Sequence, residues 1–178
     1  MKLTCVAIWW LVAGCDRQEK GTACSVCGVA SWIKCSPTGH RFSVSMPTEP
    51  TLTTKMADTK FGQLPCYFFA SSPLRGHQFA VVHSTYPPEF DISDTDKVFQ
   101  DIETITQKKG YHLISKTNIT LHGILGRELI YEAKGAAINL RVYLIERDVY
   151  QVMTVMIKES VCQKHIQEFM ESFQLEQK

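Results

Sequence analysis

Residues 138–158 read Ile-Asn-Leu-Arg-Val-Tyr-Leu-Ile-Glu-Arg-Asp-Val-Tyr-Gln-Val-Met-Thr-Val-Met-Ile-Lys, the most regular stretch of the chain. Through the first half, aliphatic side chains recur at every second position, which is the period of a half-buried strand. The second half is apolar at both odd and even positions, so we expect a central strand that is covered on both faces. Because only Arg147 and Asp148 separate the two halves, the strands are predicted to be antiparallel neighbours.

This hairpin belongs to a predicted run of four strands at residues 111–121, 126–134, 138–146 and 149–158. Five earlier segments show the same alternation or the same β-branched and aromatic content. These segments are residues 32–35, 41–46, 52–56, 63–71 and 77–86. The predicted sheet is therefore mostly antiparallel.

Two helices are predicted to cover that sheet. The first begins at Ser93, which resembles the start of a capping box, and it ends at Gly110 after two lysines. The second spans residues 161–173, with Ser160 and Gln163 in a similar arrangement and an apolar face behind them. Helices packed on a mostly antiparallel sheet give the fold class α+β, and we expect an α/β/α sandwich.

Five phrases in a fixed order resemble one protein family. They are Gly-His-Arg-Phe-Ser-Val-Ser-Met-Pro at 39–47, Gly-Ile-Leu-Gly-Arg-Glu at 123–128, Arg-Val-Tyr-Leu at 141–144, Tyr-Gln-Val at 150–152 and Phe-Met-Glu-Ser-Phe-Gln-Leu at 169–175. Over about residues 31–175 the chain resembles the Mog1/PsbP-like domains, especially bacterial members that are often lipoproteins. The resemblance implies an α/β/α sandwich around an antiparallel sheet and no shared enzyme activity. It transfers no binding residue to this sequence.

The residues of these five segments also have structural roles that do not depend on the resemblance. Gly123 and Gly126 suit a tight turn that needs a positive φ angle. Arg141 is predicted to pair across neighbouring strands with Glu128 or Glu132.

The first residues of the chain have the pattern of a secretory signal. Lys2 precedes an apolar run over residues 5–13, about half of the ~20 residues that span a membrane. Residues 11–15 read Leu-Val-Ala-Gly-Cys and resemble a bacterial lipobox, in which the cysteine receives a diacylglycerol, cleavage precedes it, and the new amine is acylated. We therefore expect a signal peptide at 1–14, a lipidated, palmitate-bearing tether at 15–30 starting at Cys15, and a folded domain at 31–178. An ordinary signal peptide with a chance cysteine is the alternative.

The cysteines suggest a second hypothesis. Removal of the signal and lipidation leave five, and export would place them in an oxidising compartment that favours disulfides with one thiol left over. Cys24 and Cys27 form a C-x-x-C motif, which is typical of a redox pair or of half a zinc site. A zinc set could combine them with Cys35 and His40, although this spacing matches no common zinc module.

Composition and charge limit the classes of function that the sequence supports. The formal net charge is +1, with no long run of like charges, so nothing favours nucleic acid as a partner. We expect a non-enzymatic binding or assembly module without a cofactor, anchored to the membrane through Cys15, facing the periplasm and meeting an envelope protein. Asp16 favours the inner membrane. The alternatives are the thiol or zinc protein and an enzyme with a pocket around His77 or His83, which are too far apart on one strand to share a metal.

Overall fold

The computed structural model describes residues 31–59, 62–133 and 135–176. The elements of these residues follow one another as β1 (Ile33–Cys35), β2 (Phe42–Met46), β3 (Thr51–Thr59), β4 (Gly62–Leu74), β5 (His77–Thr85), α1 (Thr95–Lys108), β6 (His112–Leu121), β7 (Ile124–Ala133), β8 (Ala136–Ile145), β9 (Asp148–Ile157), α2 (Gln163–Ser172) and β10 (Gln174–Leu175). The central layer is a seven-stranded sheet in the order β3-β4-β5-β9-β8-β7-β6, with every neighbouring pair antiparallel.

The position of β9 confirms what its sequence predicts. The strand is fourth of the seven, and its residues from Val149 to Met156 are all buried. Its odd-numbered apolar residues pack on one face of the sheet, and its even-numbered ones on the other. A strand of this composition is stable only between two covering layers, because either face would otherwise expose apolar side chains to water.

One face is covered by α1 and the segment that leads into it. Val98, Phe99 and Ile102 of the helix are buried in the core cluster on this face. The segment is held by Arg147, whose guanidinium donates hydrogen bonds to the carbonyl oxygens of Tyr86, Pro87 and Phe90. A single arginine in the β8–β9 turn therefore satisfies the backbone acceptors of a loop that has no regular structure.

The other face has a mixed cover. Helix α2 lies there beside a second, three-stranded sheet in the order β1-β2-β10. Phe42, Val44 and Met46 of β2 are almost wholly buried, as is Phe169 of α2. A hydrogen bond from the Trp32 indole to Glu168 joins the start of the described chain to the helix.

The predicted α+β fold class, with its α/β/α sandwich, is therefore wrong: the fold is β-rich, because strands dominate and part of one covering layer is itself a sheet. Among the described residues there are two α-helices, of 14 and 10 residues, and a three-residue 3-10 helix, against strands of up to 13 residues. The alternation in 41–46 correctly indicated a strand, but it could not show that this strand leaves the main sheet. Ser43, on the opposite face of β2 from Phe42 and Val44, is buried as well, and β2 is paired on both edges, with β1 and β10.

Both predicted helix starts also need correction. The N-cap of α1 is Asp94, which accepts a hydrogen bond from the Lys97 amide, and Ser93 instead donates to Asp91. Helix α2 has Cys162 as its N-cap without a side-chain hydrogen bond, and Ser160 instead contacts His77. The capping motif locates a helix start only to within one or two residues.

Gly126 is not the turn glycine that the sequence predicts. Gly123 has a φ of +82° in the β6–β7 turn, but Gly126 lies inside β7, under the ring of Tyr143. A Cβ at this position would stand 2.5 Å from Cδ1 of Tyr143 and 2.9 Å from the carbonyl oxygen of Val142. The glycine is needed for close approach, a role that strand glycines commonly have.

We predict that Gly126→Ala destabilises the domain by about 1–3 kcal/mol, because the Tyr143 ring is stacked on Phe173 and cannot move aside freely. Urea unfolding measures the loss. Combining it with Tyr143→Ala should cost less than the sum of the two single changes. Strict additivity would contradict the close-approach explanation.

Candidate functional site

A row of ring-bearing side chains crosses the sheet on the face that carries α2. Cross-strand register places Gly126 opposite Tyr143, Tyr143 opposite Tyr150, Tyr150 opposite His83, and His83 opposite Tyr67. The rings of His83 and Tyr150 are stacked at 4.8 Å. The row therefore holds the imidazole of His83 between aromatic neighbours.

A second imidazole completes a polar cluster at the end of the sheet where β5 ends and β9 begins. His40 comes from the β1–β2 connection, and its Nδ1 lies 2.9 Å from Nδ1 of His83. On the opposite side of the His83 ring, Nε2 lies 3.2 Å from Oδ1 of Asp148. The hydroxyl of Thr85 donates to the same carboxylate oxygen at 2.5 Å. We call His40, His83 and Asp148 the relay cluster.

The partners decide where the protons of the relay cluster lie. An ionised carboxylate only accepts hydrogen bonds, so Nε2 of His83 carries a hydrogen and donates it to Asp148. When His83 is neutral its Nδ1 is therefore an acceptor, and Nδ1 of His40 must donate to it. Hydrogen bonding thus orders two imidazoles and a carboxylate into one directed chain.

Backbone strain is concentrated beside this cluster. Arg41 and Glu146 both have a φ of +53°, a left-handed conformation that non-glycine residues seldom adopt. The Arg41 guanidinium lies 3.7 Å from Glu146 and 3.8 Å from Asp148. Two turns from distant parts of the chain therefore meet in strained conformations around one carboxylate.

Tyr150 ties the cluster to the backbone of the β1–β2 connection. Its hydroxyl donates to the carbonyl oxygen of His40 at 3.1 Å. Burial, and then the charge of Asp148, raises the pKa of Tyr150 to about 12, so the hydroxyl stays a donor. Burial also lowers the pKa of His40 below its usual 6.5, with the neighbouring His83 adding to the effect.

A second polar feature lies at the surface on the same face. Nε of Arg141 donates to Glu128 at 2.7 Å, and its Nη1 donates to the carbonyl oxygen of Met170 in α2 at 3.2 Å. The pairing with Glu128 confirms one of the two partners predicted from the sequence. Arg141 borders an open groove of about 380 Å³, whose other lining residues are Asn118, Ile119, Thr120, Leu125 and Tyr143. We call it the Arg141 groove.

The residues of the predicted zinc set are not assembled in the described part of the chain. Cys24 and Cys27, like the lipidation candidate Cys15, lie outside the described residues. Cys35 is half-buried on β1, where burial and then Glu49 raise the pKa of its thiol. His40 faces His83 instead, and within 31–59, 62–133 and 135–176 no three metal-ligating side chains are arranged so that they could hold a metal ion.

The sequence indicates His40, His77 and His83 as candidate residues, but it does not show that two of them meet. His77 bonds Ser160 at 2.7 Å, whereas His83 meets His40 across 43 positions of sequence. Asp148 is recognisable in the sequence only as a turn residue. The available signal was that Asp148 begins a strand that continues into Tyr150, which places both side chains on one face.

The sequence matches no known protein family and no curated protein. Among solved structures it is similar to PA94, a protein of unknown function from Pseudomonas aeruginosa, with 16% identity, a TM-score of 0.38, and coverage of 70% of this chain and 82% of that chain. A TM-score of this size does not establish a shared fold, and the resemblance to Mog1/PsbP-like domains stays a prediction. The fold and site define an antiparallel-sheet domain with a histidine–histidine–aspartate cluster at one end of its central strands.

We predict that Asp148→Asn destabilises the domain by about 1–2 kcal/mol, because it removes the charge that accepts from His83 and Thr85. Glu146→Gln is the matched control, since Glu146 is also close to Arg41 but is 60% exposed; it should change stability by less than about 0.5 kcal/mol. Urea unfolding at neutral pH compares the two. Equal losses would show that Arg41, not the relay cluster, is the important partner of Asp148.

Proposed function

We propose that the protein is a lipid-anchored, non-enzymatic binding module of the bacterial envelope that faces the periplasm and uses the Arg141 groove to hold a polypeptide partner. The anchor is inferred from the lipobox at residues 11–15. Two acyl chains of a diacylglycerol suffice for stable attachment to a bilayer. Among the described residues, neither α1 nor α2 is long and apolar enough to cross a membrane.

The observation that carries the binding role is the fixed guanidinium of Arg141 at the edge of an open groove. Glu128 and the Met170 carbonyl hold it from two sides, and its side chain is 24% exposed. A guanidinium that is already ordered loses little conformational entropy when it binds a further acceptor. The groove therefore offers a preorganised donor rather than a flexible one.

Apolar contact is available beside that donor. Ile119 lies on the same face of the sheet as Arg141 and is half-buried, and the almost wholly buried Tyr143 ring, stacked on Phe173 at 5.7 Å, also lines the groove. An aliphatic side chain, an aromatic ring and an arginine together are typical of the centre of protein interfaces. The Asn118 side chain accepts from Arg127 on the opposite face of the sheet, so Asn118 and Thr120 border the groove through their backbone groups.

The anchor is tested by changing the lipidation cysteine. We predict that Cys15→Ala moves the protein from the membrane to the soluble fraction and abolishes the mass of the acyl chains, because the thioether can no longer form. Cys5→Ala is the control, since Cys5 lies within the predicted signal and should leave attachment unchanged. Mass spectrometry of the purified full chain shows whether each variant carries the acyl chains. An unmodified amino terminus in the parent protein would refute the anchor.

The groove is tested by site-specific crosslinking in intact cells. A photo-reactive residue at Ile119, which shares a face with Arg141, should give a defined adduct that Arg141→Ala weakens about tenfold, the loss expected for one good polar contact. The control position is Met56, which is 53% exposed on β3 at the other edge of the sheet. If both positions gave the same adducts, the groove would be excluded as the binding surface. It would also be excluded if Arg141→Ala left the yield of the adduct unchanged.

The thiol or zinc hypothesis stays an alternative prediction. The raised pKa of Cys35 disfavours the thiolate that both a redox centre and a zinc site require. Zinc analysis and thiol titration of the full chain distinguish the hypotheses, because the alternative expects about one metal ion or a reactive dithiol.

A further inference from the structure

The contact between the His40 and His83 rings can hold only a limited number of hydrogens. Their Nδ1 atoms are 2.9 Å apart, so the space between them holds one hydrogen and not two. One hydrogen can belong to either ring, and a singly protonated pair therefore keeps the contact. Two protonated rings would place two N–H groups and two positive charges against each other.

We propose that the His40–His83 contact is an acid-sensitive latch, which opens when both rings are protonated and releases residues 39–41 from the main sheet. The proposal does not depend on the Arg141 groove or on the lipid anchor. It concerns a conformational change of the folded domain itself.

The charges around the pair decide which ring is protonated last. Asp148 lies on the far side of His83, with its Oδ1 3.2 Å from Nε2 of the ring. His40 has no carboxylate among its described hydrogen-bond partners, and Arg41 next to it adds a positive charge. The other titratable groups around the cluster are Glu146 and Tyr150, with Tyr67 beside both rings and Glu176 near Tyr150. The proton that opens the latch is therefore the one taken up by His40.

The latch controls access to aromatic surface. The His40 ring packs edge-on against Tyr67 at 4.7 Å and against Phe69 at 4.8 Å. The carbonyl oxygen of His40 accepts from Tyr150, and that of Arg41 accepts from the Glu176 amide at 3.0 Å. Release of residues 39–41 breaks these bonds and uncovers rings that are otherwise shielded. The strained φ of Arg41 favours release, because an open turn can relax it.

The direction of the pH dependence follows from proton linkage. The pKa of His40 is lowered in the folded protein, so below about pH 6.5 the unfolded chain binds a proton that the closed domain does not. Stability is therefore full above that pH and falls as the pH decreases toward the folded-state pKa of His40. His77, whose pKa is also lowered by burial, contributes in the same direction and needs its own control.

Hydrogen exchange of the full chain tests the latch. Protection of the Glu176 amide, corrected for intrinsic exchange, should fall about tenfold per pH unit below about pH 6.5, the slope for uptake of one proton. The amides of β9 should keep their protection. In His40→Gln the fall at Glu176 should disappear, whereas in His77→Gln, altered at a buried histidine whose ring bonds Ser160, it should remain.

Two results would overturn the proposal: a fall that is the same in His40→Gln as in the parent protein, or a loss of protection that spreads uniformly over the sheet. Nitrogen chemical shifts of the two imidazoles in the parent protein give a test that needs no variant. At neutral pH we expect Nδ1–H on His40 and Nε2–H on His83. Both rings protonated while the Glu176 amide stays protected would also contradict the latch.

Discussion

The register of β9 against its two neighbours is the constraint on which the rest of the structure depends. It places Tyr150 between Tyr143 and His83, and so puts the whole aromatic row on the face that carries α2. A shift by one residue would turn every one of these side chains to the opposite face. Because β9 is apolar on both faces, hydrophobicity alone would not prevent such a slip. The two-residue turn between Ile145 and Asp148 fixes the register of β9 against β8, and Tyr143 over Gly126, where a Cβ would stand only 2.5 Å away, fixes that of β8 against β7.

The same register accounts for a buried polar cluster in a largely apolar layer. Burial of imidazoles and a carboxylate is unfavourable unless each group has a partner. Here His83 is bonded at both ring nitrogens, and Asp148 accepts from Thr85 as well. One of these partners, His40, arrives on a connection outside the main sheet. Packing of the second layer on the main sheet therefore also gives His83 its second hydrogen-bond partner.

The two polar features on this face differ in exposure and hence in chemistry. The relay cluster is enclosed by rings, so its electrostatic interactions are strong and its protonation is coupled to structure. Arg141 is at the surface, where water screens its ion pair with Glu128 and leaves its guanidinium open to exchange partners. The first arrangement suits a response to proton concentration, and the second suits reversible binding.

The sequence by itself determined the hairpins of the second half, the central position of β9 and the approximate places of both helices, because alternation, turn length and capping are local properties of the chain. The signal and lipobox at residues 1–15 lie outside the described residues and remain predictions from sequence. Only the tertiary structure decided that β2 joins β1 and β10 in a separate sheet, which replaced the expected sandwich. It alone brought His40 to His83, since an alternating pattern fixes which way a side chain points but not which distant strand covers it.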